Sequence, residues 1–72
     1  MENSEFHIGI RIKEVMEQSG RKVSWLANKL CFSRGNVYKL YQKDNIDIKL
    51  LLKISELLEY DFFEDLSKML KK

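Results

Sequence analysis

Residues 20–43 carry six basic side chains and no acidic one: Arg21, Lys22, Lys29, Arg34, Lys39 and Lys43. The chemistry such a block offers is attraction for a polyanion. From Asp44 to Asp65 the sign reverses, with seven acids against only Lys49 and Lys53. The formal net charge of +2 therefore hides two blocks of about +6 and −5. A segregated field of this kind steers association more than it shapes a fold.

Other chemistries find no support. His7 and Cys31 are each alone among the ligand types zinc requires, so no metal site is expected. No Ser-His-Asp set can be assembled, and three glycines are too few for a phosphate-cradling loop. The carboxylates of the last two helices read as a solvated face, and Cys31, between Leu30 and Phe32, as a structural residue. Nothing points to an enzyme or to a cofactor.

A chain of 72 residues is expected to form a single domain over 1–72. Cores of this size rarely supply more than ~3–5 kcal/mol of net stability, which makes oligomerisation a natural supplement. Hydrophobic residues make up 44%, too many for a disordered chain. One cysteine cannot form an internal disulfide, which fits a reducing compartment. The polar, acidic stretch Met1 to Glu5 does not resemble a signal peptide, and Leu50-Leu51-Leu52 falls far short of a membrane span. The expectation is a cytoplasmic protein.

The elements that must carry the basic block are legible from periodicity and caps. A first helix is expected from about Glu5 to Ser19, with Ser4 as N-cap, Gly20 at its end and Ile8, Ile12, Val15 and Met16 as its buried stripe. A second spans Val23 to Leu30. Cys31-Phe32-Ser33 turns into a third, about Arg34 to Gln42, capped by Ser33. Asp47 caps a fourth, Ile48 to Leu58, whose narrow polar stripe predicts burial on most sides at the centre of the fold. Asp61 and Glu64 form a capping box that opens a fifth helix to about Met69. The fold class is all-α.

Within residues 23–42, Ala27 is the small residue two crossing helices need where they meet, with Leu26, Leu30, Phe32, Val37 and Leu40 around it. This spacing resembles the Cro and phage-repressor type of helix-turn-helix, the xenobiotic-response-element family of transcriptional regulators. Its carriers are Leu26-Ala27, the Phe32-Ser33-Arg34 entry and Val37. The layout extends the resemblance over about Ile8 to Leu66 and implies a compact five-helix lambda-repressor-like DNA-binding domain.

The resemblance further implies that the third helix enters the DNA major groove. Arg34, Gly35, Tyr38 and Lys39 are then the base-reading candidates. Arg34 leads, because its planar fork matches guanine O6 and N7. Lys22, Ser24, Ser33, Asn36, Gln42, Lys43 and Asn45 are candidates for gripping the backbone, which sets register without reading sequence. Trp25 reads as a half-covered surface aromatic. The chain departs from the family at three places. Cys31 stands where glycine is common, so it must tolerate positive φ or the turn differs. Val23 replaces a phosphate-holding glutamine, leaving Lys22 or Ser24 to substitute. Met16 and Tyr41 stand where many members bury an arginine–glutamate pair, and are expected to touch.

Phe62, Phe63, Leu66, Met69 and Leu70 give the last helix more large apolar groups than so small a core is expected to bury. The surplus predicts a homodimer interface, hence two reading helices about one DNA turn apart and a palindromic operator. The function expected is a sequence-specific double-stranded DNA-binding regulator, a repressor acting by operator occupancy. The alternative is an antitoxin or interaction module that pairs with a protein, such as a toxin, through the C-terminal helix.

Overall fold

The computed structural model describes residues 6–70. Within them lie five α-helices: α1 (Ile8–Ser19), α2 (Val23–Leu30), α3 (Arg34–Tyr41), α4 (Ile48–Leu58) and α5 (Phe62–Leu70). Local cap chemistry accounts for most of the boundaries. Ser33 Oγ accepts the Asn36 N–H at 3.1 Å, and Asp47 Oδ2 accepts the Leu50 N–H at 3.2 Å. Asp61 Oδ1 accepts the Glu64 N–H at 3.0 Å, the forward half of the expected capping box. Gly20 closes α1 in the left-handed region at φ 76°.

The first helix starts later than its sequence pattern indicates. Ser4 and Glu5 lie outside the described residues, and the cap is His7, whose Nδ1 accepts the Ile10 N–H at 3.2 Å. The third helix ends at Tyr41, one residue short, with Gln42 still in a helical conformation.

The centre of the fold is α1 and not α4. Ile8, Gly9, Ile12, Val15 and Met16 of α1 are buried, and this helix packs on both α3 and α4. By contrast α4 buries Leu51, Ile54 and Leu58, while Ile48 is 70% and Leu52 50% exposed. Its composition would allow burial on most sides, but a core this small has no further element to cover the outer face. Phe62 corrects the expectation in the other direction. As the first residue of α5 it is wholly covered within the chain, edge-on to Tyr60 at 4.7 Å between ring centres. It belongs to the core and is unavailable to a partner. Phe63 and Met69 are half-buried, and Leu66 and Leu70 are exposed.

Gly9 fixes how α1 meets α3. Its N–H donates to the Lys43 carbonyl at 2.9 Å. A Cβ at this position would lie 2.6 Å from the Leu40 and Lys43 carbonyl oxygens and closer still to that of Tyr41. All three obstacles are backbone, so none can swing aside.

A polar clamp ties α5 to α1 on another side. Arg11 Nε donates to Asp65 Oδ2 at 3.1 Å, Nη1 to Glu14 at 3.0 Å and Nη2 to the Tyr60 hydroxyl at 2.5 Å. The Tyr60 hydroxyl in turn donates to Asp65 Oδ2 at 2.8 Å. The guanidinium is held charged more firmly than a free one, chiefly by the Tyr60 bond and then by Asp65 and Glu14. Asp65, read from sequence as part of a solvated face, is therefore a fastening residue.

Two stability measurements test this description. Gly9→Ala should lower the unfolding free energy by about 3 kcal/mol in urea titrations, at the upper end of overpacking costs, since backbone must move. Arg11→Met should cost about 1–2 kcal/mol by stranding Asp65, whereas Glu14→Gln, at an exposed pair, should stay within ~0.5 kcal/mol.

Candidate nucleic-acid interface

The turn between α2 and α3 is built from backbone hydrogen bonds rather than from a glycine. Cys31 adopts φ 58° and ψ 36°, its N–H donating to the Asn28 carbonyl at 3.2 Å. The Phe32 N–H reaches back to the Ala27 carbonyl at 2.8 Å. This pair of bonds is the Schellman arrangement, which normally recruits glycine because a Cβ crowds the left-handed region. The Cys31 side chain is exposed, so its place in the fold is set by its backbone and not by packing of the thiol. Leu26, Ala27, Leu30, Val37 and Leu40 close the crossing as buried residues, with Phe32 half-covered beside them.

Ser33 then starts α3, whose buried side is Val37, Leu40 and Tyr41. The opposite side presents two columns at helical spacing, Arg34 with Tyr38 and Gly35 with Lys39, all exposed. Asn36 is exposed on the same helix, and Gln42, Lys43 and Asn45 are exposed just beyond it. Lys22 and Ser24 are exposed at the start of α2, where Lys22 occupies the cap position without a side-chain cap bond. Ser33 Oγ is committed to capping but keeps a hydroxyl proton to donate.

The ion pairs among the described residues all centre on Arg11, so within them Arg34 and Lys39 stay unneutralised. Arg21 stacks on half-buried Trp25, its guanidinium carbon 4.1 Å from the ring centre. Tyr38 leans edge-on against Tyr41 at 6.2 Å and 85°, which limits its swing while leaving its outer edge free. Tyr41 and Met16 are both buried in the core where α3 packs on α1. Burial, with Tyr38 and Glu17 nearby, pushes the Tyr41 phenol above its usual range, so it stays neutral.

The positioning residue that sequence reasoning missed is Gly9. It anchors the end of α3 from 34 positions away, between the Gly9 N–H and the Lys43 carbonyl, and no local pattern announces such a contact.

Cys31→Gly should raise the unfolding free energy by about 1 kcal/mol, because the left-handed conformation loses its Cβ penalty and the exposed thiol contributes little packing. An unchanged or lower urea midpoint would contradict the geometry of this turn.

A family model of the Cro/C1-type helix-turn-helix DNA-binding domain matches residues 11–72. That span covers both crossing helices, the turn at Cys31 and the whole of α4 and α5. No curated protein and no solved structure matches the chain. The cationic pair of crossed helices and the family match converge: this chain belongs to the Cro/C1-type helix-turn-helix DNA-binding domain family.

Proposed function

We propose that the protein is a sequence-specific regulator that binds double-stranded DNA as a homodimer and represses by occupying a palindromic operator. The observation that carries this reading is the outer side of α3: Arg34, Gly35, Tyr38 and Lys39 exposed, within a stretch of 24 residues that contains no acid. In this reading Arg34 takes a guanine edge, Lys39 and Tyr38 a base or a phosphate, and Gly35 lets the helix backbone approach closely. Gly35 has ample room for a side chain within the protein, its nearest non-neighbouring atom being Ser33 Oγ at 3.8 Å from a built Cβ. No packing constraint of the fold demands glycine there.

Lys22, Ser24, Ser33, Asn36, Gln42, Lys43 and Asn45 flank that face and would hold the phosphates. At α2 the open first turn and Lys22 replace the glutamine that Val23 cannot mimic. Such contacts draw affinity from released counterions.

The surface for self-association is α5 with the outer side of α4. Leu66 and Leu70 are exposed, Phe63 and Met69 half-buried, and Ile48 and Leu52 extend the apolar area. The same surface supports a second reading, an antitoxin-like module that docks a basic protein against the acidic C-terminal half. The two readings are compatible, and both place the protein in the cytoplasm.

Selection from random duplex DNA should return one symmetric site. Arg34→Ala should weaken binding to it by about 10–100-fold, the usual worth of one bidentate base contact. Arg34→Ala combined with Lys39→Ala should abolish the preference while circular dichroism stays unchanged. Between 50 and 200 mM salt, affinity should fall by ~10³–10⁵ if the dimer makes ~6–10 phosphate contacts. Binding untouched by the double variant, with a phenotype from Phe63→Ala or Met69→Ala, would transfer the function to a protein partner.

A further inference from the structure

A cavity of about 330 Å³ opens between α3, the loop that follows it and the first turn of α4. Its lining is mixed: Phe32, Leu40, Ile46 and Leu50 supply apolar surface, Asn36 and Asn45 supply amides, and the exposed residues Lys39 and Lys43 supply positive charge. A DNA phosphate needs the ammonium groups but makes no use of the apolar residues beside them. A ligand that uses both has an apolar body and an anionic head.

The cavity is formed before any ligand arrives, as small-molecule sites usually are. The Lys43 carbonyl is fixed by the Gly9 N–H, and Ser33 and Asp47 cap the helices on either side. Asp47 also lines the cavity; its Oδ2 accepts the Leu50 N–H at 3.2 Å, and its single negative charge is set against Lys39 and Lys43. The two lysines keep the local balance positive.

We propose that this cavity binds a small amphiphilic carboxylate, an aromatic or branched aliphatic body bearing one anionic head, and that its occupant displaces DNA. The second half rests on the DNA-binding role of α3: Asn36, Lys39, Lys43 and Asn45 line the cavity and also belong to the proposed DNA face, so an occupant takes space and charge that the duplex would use. The coupling is reciprocal, since DNA must weaken the carboxylate by the same factor.

The test uses naphthoate as probe, titrated into DNA-free, isotope-labelled protein and followed by amide resonances. The expected result is a saturable titration with shifts clustered at Phe32, Lys39, Ile46 and Leu50. Lys39→Gln with Lys43→Gln should weaken it by about fivefold or more, and naphthamide, the neutral isostere, should bind about fivefold more weakly than naphthoate. No saturation, shifts confined to Phe63 and Leu66 of α5, or equal binding of the amide would overturn the site. Saturating naphthoate should also release a selected duplex from the unaltered protein. Retention of the duplex would overturn the displacement alone. Failure to bind any duplex in the absence of naphthoate would instead count against the DNA reading and leave the cavity result standing.

Discussion

The whole arrangement depends on a close approach of two backbones. Where α1 begins, Gly9 sits against the carbonyls of Leu40, Tyr41 and Lys43, and one hydrogen bond of 2.9 Å joins it to the last of them. A helix start docked on a helix end also lets the positive end of one backbone dipole meet the negative end of the other. With its C-terminal end held, α3 can bury only Val37, Leu40 and Tyr41, and its remaining side chains are turned outward. The cationic surface is thus a consequence of how the uncharged part packs.

The polar groups divide into two sets that do different work. Arg11, Glu14, Tyr60 and Asp65 satisfy one another and fasten α5, so their charges are spent inside the molecule. Arg34 and Lys39 meet no partner in the described residues and retain their field for an outside anion. A basic block that paired with the acidic half of its own chain would bind nothing. Among the described residues no ion pair joins the two blocks, and the ion pairs present are made by Arg11, a residue from outside the basic block. Apolar groups divide in the same way, with Phe62 closing the core and Ile48, Leu52, Leu66 and Leu70 left at the surface.

The parts of this structure that could be read from the sequence are those governed by neighbours a few positions apart. The limits of α2 and α4 coincide with those expected from periodicity, Ser33 and Asp47 cap as their types suggest, and the exposed columns of α3 follow from 3.6-residue spacing. What could not be read depends on distant partners. Arg11 and Asp65 are 54 residues apart, and nothing near Asp65 distinguishes a fastened carboxylate from a solvated one. Gly9 looks like an ordinary weak spot in a helix until α3 is laid against it. The exposed outer face of α4 has a related reason, since composition reports appetite for burial and only the number of neighbouring elements decides how much is met. Cys31 shows the opposite lesson. The turn is legible although its residue type disfavours the left-handed conformation, which backbone hydrogen bonds hold in place.

The most direct measurement is amide chemical-shift mapping of the protein on a duplex taken from random-sequence selection. If the α1–α3 junction is the rigid frame that offers α3 to DNA, the largest changes fall on residues 33–39 and on Lys22 and Ser24, while the Gly9 amide, bonded to Lys43, keeps its position. Changes concentrated on α4 and α5 with α3 unaltered, or a large displacement of the Gly9 resonance, would contradict that account.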